Sequence, residues 1–208
     1  MNNKGNLGVT TGIFVILVIV IGAIAASAII QTTQSTSLPD LTKLTNEAID
    51  EITTTFQIKS VIGKYETIQG RACIQKIAIL IKPLVSLNID IDKIHLMIVS
   101  EDDLRLLSFN GSVAPMNTPS LFDHPLWDTL DEGRYGLITT VDDDGSMTTS
   151  QVIDKNTDMA FLIVKLPVAA PLFYGQILQL TLAPTPGNEC TVTLEPPLPT
   201  THVVSLYG

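Results

Sequence analysis

The sequence predicts an α+β chain in which one long hydrophobic N-terminal helix is followed by an antiparallel β-sandwich or barrel. Three observations predict it. Residues 5–39 carry no charged side chain, and within them residues 13–30 form an unbroken run of apolar and small residues. Apolar residues then recur at three-to-four spacing as far as Phe56, the period of an amphipathic helix. Beyond Ser60 the pattern changes to short β-branched runs punctuated by Gly, Pro, Asn and Asp, as expected of many strands joined by turns.

The apolar run comes first. A helix rises about 1.5 Å per residue, so the 13–30 stretch reaches about 27 Å, close to the roughly 30 Å of bilayer hydrocarbon. It is too long for the apolar core of a secretory signal. The small residues Ala25, Ala26, Ser27 and Ala28 offer a cleavage site, but Ile29 and Ile30 continue the run past it. The other candidate cut precedes the run, after Lys4-Gly5 and before Asn6-Leu7-Gly8. A basic residue holds such a leader on the cytoplasmic side, and glycine gives a peptidase access to the backbone. After a neutral polar patch at 31–37, Leu38, Leu41, Leu44, Ala48, Ile49, Ile52 and Phe56 keep the helical period, with Pro39 at the start of that second part. One helical region over 6–58 is expected, interrupted near 37–39.

The remaining residues read as one domain of ordinary size. Strands are expected over 72–82, 93–99, 135–141, 159–165, 176–182 and 191–194. Several alternate or run apolar, such as Ile77-Ala78-Ile79-Leu80-Ile81. With no second helical pattern, this points to an antiparallel sandwich or barrel of immunoglobulin-like type. The organisation is then a 1–5 leader, a 6–58 helix and a 59–208 β-sandwich outer domain.

Charge narrows the function. Lys4 is the one charged residue before residue 40, leaving eleven basic and twenty-one acidic side chains beyond it, a net of −10. An acidic body disfavours nucleic acid and anionic lipid, both of which require clusters of Lys or Arg. No Gly-x-x-x-x-Gly-Lys-Ser/Thr loop is present, so nothing here hydrolyses a nucleotide by that route. No Gly-x-Ser-x-Gly or His-Glu-x-x-His arrangement suggests an enzyme either. His95, His124 and His202 are scattered and read as packed or surface side chains, and Trp127 as an anchor of the core or of a subunit contact.

Three other groups are candidate sites. Asp142, Asp144 and Ser146, in Asp142-Asp143-Asp144-Gly145-Ser146, place oxygens at alternate positions like the start of a Ca²⁺ loop. The bidentate Glu of an EF-hand is missing, and a solvated turn explains the same residues. Asn110-Gly111-Ser112 is an Asn-x-Ser acceptor for an N-glycan, and Asn-Gly is equally a hairpin-turn signal; both readings expose it. Cys73 and Cys190 either form a disulfide, contributing about 4 to 5 kcal/mol in the chain-entropy model, or stay as two buried thiols.

The leader, helix and body together resemble the archaellin (archaeal flagellin) family. The Lys4-Gly5 cut with Gly8 as the third mature residue is similar to a class III leader of the type IV pilin-like superfamily. Thr10 stands where bacterial pilins place a Glu, as is ordinary in the archaeal branch. Residues 73–83 with 88–94, and then 134–138, 142–146 and 152–154, are similar in order and spacing to the family's strand motifs. The family departs from this chain at Asp154-Lys155-Asn156-Thr157-Asp158 and in the 184–189 segment.

The resemblance implies a structural subunit of the archaellum, an extracellular cell-surface filament for swimming. Its partners would be copies of itself in a helical homopolymer, with homologous subunits where these exist, a prepilin-peptidase-like enzyme, and a membrane motor and assembly platform. The membrane would hold the precursor. Helices freed from lipid must be covered by something else, and Gly8, Gly12, Gly22, Ala25 and Ala26 let identical helices approach closely. No cofactor is required; a Ca²⁺ or other divalent ion and an N-glycan are the candidates. An adhesive archaeal pilin would share leader and helix, whereas a membrane-anchored, stator-like β-domain would keep the helix in lipid.

Overall fold

The computed structural model describes residues 56–68, 70–86, 88–100 and 103–208. Most of the expected 6–58 helix lies outside them. Its last three residues do not: strand β1 begins at Phe56 (Phe56–Ile68), so Phe56 and Ile58 fill the β core. The four-residue spacing of Phe56 from Ile52 is overridden by a better alternation within the strand, since Phe56 and Ile58 are buried while Gln57 and Lys59 are exposed.

The other elements follow as β2 (Arg71–Pro83), β3 (Ile89–Asp90), β4 (Ile94–Val99), β5 (Leu104–Pro115), β6 (Arg134–Val141), helix α1 (Ser146–Ser150), β7 (Val152–Ile153), β8 (Met159–Lys165), β9 (Leu178–Pro184), β10 (Cys190–Leu194) and β11 (Val203–Tyr207). Nine strands make one sheet in the order β10-β9-β4-β5-β6-β8-β2-β1-β11, and β3 pairs with β7 separately. The sheet curls on itself, bringing β10 back against β1 and β11. The expected runs in β2, β4, β6, β8 and β10 match closely, and β9 lies two residues later than expected. The long strand β1, together with β5 and β11, has no counterpart among the expected strands.

The sheet is not wholly antiparallel. β5 and β6 run parallel, with Phe109 opposite Tyr135 and Ala114 opposite Ile138. Parallel neighbours need a crossover of a dozen or more residues, and residues 116–133 supply it. Asn110-Gly111 is not a hairpin turn. It sits inside β5, where the pairing with β6 slips between Phe109 and Val113 and Gly111 takes φ +81°, a left-handed value suited to a glycine in a bulge.

Alternation sorts the side chains into two layers. Facing inward, Ile77, Val164 and Tyr135 lie side by side across β2, β8 and β6, as do Ile79, Leu162 and Leu137; with Leu96, Leu107, Leu180 and others they make the main core. Facing outward on the same strands, Ala78, Ile138 and Ile163 are covered by Leu121, Phe122, Leu126, Trp127 and Leu130 of the crossover. Strands buried on both faces lose the period-2 pattern and read as continuous apolar runs. That is why 77–81 and 160–164 are apolar throughout.

The crossover is held by specific bonds. The indole Nε1 of Trp127 donates to the Leu121 carbonyl at 2.9 Å, and the ring stacks on Phe122. Buried His124 accepts from the Leu126 amide at Nδ1, 3.1 Å, and meets the Pro115 carbonyl through Nε2 at 3.2 Å. Accepting at Nδ1 leaves Nε2 as the donor, so the ring is neutral and its single proton points at Pro115. Trp127 is thus an anchor, as its sequence context suggested.

Candidate functional site

The acidic loop between β6 and β8 brings three carboxylates together among the described residues, and its backbone explains where each one points. Asp142 directly follows β6, and its side chain caps the first turn of α1, whose N-cap residue is Gly145. Its Oδ1 accepts from the Met147 amide, and its Oδ2 accepts from the amide and hydroxyl of Thr148. These are orphan donors of the first helical turn. Gly145 at φ +73° reverses the chain between cap and helix, and fully buried Met147 pins α1 to the core.

The next carboxylates converge. Asp144 accepts from the Ser146 amide at 3.1 Å and pairs with Lys155 at 2.6 Å. The Ser146 hydroxyl donates to Asp154 at 3.0 Å. Asp158 closes the following turn, its Oδ2 accepting from the amides of Asp154 and Lys155 at 3.2 and 3.0 Å. Ligand atoms of Asp144, Asp154 and Asp158 lie within 4.8 Å of one another. The sequence-level trio of Asp142, Asp144 and Ser146 is therefore redrawn. Asp142 is committed to the helix cap, and Asp154 and Asp158 take its place beside Asp144 and Ser146.

Electrostatics separates the members of this cluster. The Lys155 ammonium, with help from the Ser146 amide, holds the Asp144 carboxyl at about 2, well below its usual range. Burial pushes Asp158 upward against the two amide bonds that would lower it. Asp158 is 1% exposed, and its Oδ1 is buried without a partner among the described residues. Three carboxylates against one ammonium leave a charge of −2 when ionised. An all-oxygen donor set with that charge suits a hard divalent cation, and the orphaned Asp158 oxygen is the atom such an ion would satisfy. The sequence signal for these two residues is the Asp154-x-x-x-Asp158 spacing directly after the Val152-Ile153 strand.

The remaining candidates are placed as follows. Asn110 is half-buried, not fully exposed. Its Oδ1 accepts from the Ser112 amide at 2.9 Å and lies 3.4 Å from where a Cβ on Gly136 of β6 would stand. Cys73 and Cys190 are both free, so the bridge is not formed. Cys73 is buried in β2, with its thiol 3.7 Å from the Glu66 carbonyl, whereas Cys190 begins β10 and leans on the main core. Lys4, Gly5, Asn6, Gly8, Gly12, Gly22, Ala25 and Ala26 lie outside the described residues.

A family model for archaeal-type flagellin matches residues 5–195. The chain belongs to the archaeal-type flagellin family. This archaeal-type flagellin is similar to Flagellin B3 of Methanocaldococcus jannaschii, with 25% identity over 154 residues, which is 72% of this chain and 69% of that one. Its fold is that of the crystal structure of archaeal flagellin FlaB1 from the same organism, at TM-score 0.65 and 22% identity, covering 74% of this chain and 97% of the other. The archaeal flagellum of Methanospirillum hungatei strain JF1 is also similar in fold, at TM-score 0.51 and 13% identity, covering 93% of each chain.

Proposed function

We propose that this archaeal-type flagellin is the structural subunit of an archaellum filament used for swimming, polymerising through its N-terminal segment. The carrying observation is the family match over 5–195, which includes the charge-free apolar run at 13–30 as well as the β domain. One kind of surface then meets two environments. In the bilayer the run faces lipid with its backbone bonds satisfied internally; after extraction, identical runs cover one another. A subunit whose apolar surface fits a different patch of its copies builds an open helical array.

In this reading residues 1–5 are removed after Gly5 by a prepilin-peptidase-like enzyme, and the membrane holds the precursor. The filament is extracellular and is turned by a separate membrane motor and assembly platform, with homologous subunits joining where they are present. A divalent cation such as Ca²⁺, held by Asp144, Asp154 and Asp158, would brace the acidic loop, and Asn110 is the candidate N-glycan acceptor. Filaments sheared from cells, imaged by electron microscopy and digested for mass spectrometry, test the proposal. Filaments built of this chain, lost together with swimming when it is deleted, support it. Unchanged filaments and swimming after deletion would refute it.

A further inference from the structure

The outer face of the curled sheet has two halves that differ in cover. Over β2, β6 and β8 the crossover lays its own apolar layer. Over β4 and β5 the corresponding outward rows are Val99 beside Leu104 and Met97 beside Leu106, and Leu104 and Leu106 are each 65% exposed. Two adjacent leucines, with a methionine and a valine beside them, form a contiguous apolar patch rather than scattered surface residues. Strands β9 and β10 extend the same face with Gln179, Thr181, Thr191 and Thr193. At the described outward positions of these four strands, His95 is the one ionisable side chain.

This charge-free character decides what covers the face. The body carries a net charge of −10, so copies brought together repel across most of their surfaces. A basic partner would find no carboxylate here to pair with. An identical subunit, in contrast, can meet this face without opposing its own carboxylates, and apolar burial then works unopposed.

Resting on the filament reading, we infer that the face formed by Met97, Val99, Leu104 and Leu106 is a contact between the outer domains of neighbouring copies. An open helical array makes the contact heterologous, so the patch it meets on the next copy is a different one.

Hydroxyl-radical footprinting of intact filaments and of the full chain dissociated in detergent tests this directly. Met97 is a native reporter because its thioether oxidises readily, and oxidation of Met97, Leu104 and Leu106 is expected to fall about fivefold on assembly. Equal oxidation in the two states overturns the inference, and so does protection already complete in the dissociated chain, which would mean that the chain covers itself. Protection confined to filaments carrying a second protein also overturns it. The paired variant Leu104→Ser, Leu106→Ser is expected to melt like the parent when dissociated. Its assembly should weaken by roughly tenfold per leucine, and parental filament yield would contradict the contact. An absence of filaments from the parent chain would sink the filament reading first.

Discussion

The hydroxyl of Tyr135, on β6, reaches the main-chain carbonyl of Ile94 at 2.5 Å and that of Ile91 at 2.8 Å, joining positions 41 and 44 apart in sequence. The ring is fully buried, and burial pushes the phenol's pKa upward, so the hydroxyl stays protonated and donates. The 3-10 turn at Ile91–Lys93 leads into β4, so this one side chain ties the start of β4 to the parallel strand pair. Tyr135→Phe removes the one hydroxyl proton that the two carbonyls share while keeping the ring, and only the Ile91 carbonyl retains the Ile94 amide as a donor. It should cost about 1 to 3 kcal/mol, measured by denaturant melts of the full chain in detergent. A change within error would show that water satisfies these carbonyls.

Gly63 in β1 is packed against the opposite strands. An added Cβ would meet Ile74 Cγ2 at 2.9 Å and Leu206 Cδ1 at 3.1 Å, and both residues are buried. Gly63→Ala should destabilise by about 1 to 3 kcal/mol through overpacking, with the larger effect on pairing of β1 with β11. Hydrogen exchange of the Val204 and Leu206 amides reads that loss locally.

Trp127 holds the crossover over Ala78, Ile138 and Ile163. Trp127→Ala should cost about 3 to 5 kcal/mol and expose the outer layer to a hydrophobic dye before the main core melts. A single melting step with no early dye binding would mean that the two layers unfold as one.

The acidic loop gives a prediction whose sign depends on the cation. A carboxyl with its folded pKa raised binds its proton more tightly folded than unfolded, so its ionisation opposes folding as pH rises and ceases to matter as pH falls. Asp158 is such a group. In chelator at neutral pH, Asp158→Asn should therefore melt higher than the parent, and this advantage should vanish in acid. With Ca²⁺ at 100 times its dissociation constant the parent should gain about 2.7 kcal/mol, and Asp158→Asn should gain little. Equal behaviour of the two chains with Ca²⁺ would remove the cation from the account.

Much of the β domain was legible because its strands obey simple periods. β4 alternates cleanly, since one face of it is core, and residues 77–81 of β2 and 160–164 of β8 are apolar throughout because both faces are buried there. What escaped detection depends on tertiary structure. The first three residues of β1 fall in the expected helix because Phe56 continues a helical spacing that only the sheet overrides. The parallel pairing of β5 with β6 depends on where a long crossover lands, and no local signal carries that. At the acidic loop the sequence located the turn and Asp144 but gave Asp142 a ligand's role. Capping of α1 and convergence of Asp154 and Asp158 are set by backbone hydrogen bonds that spacing alone does not display.

The central claim is that the apolar N-terminal segment is kept and buried against copies of itself. Intact-mass spectrometry of the chain recovered from sheared filaments tests it most directly. The account predicts a mature protein that begins at Asn6 and retains residues 13–30. A chain found full-length in membranes and missing from filaments, or assembled after losing residues 13–30, would contradict it.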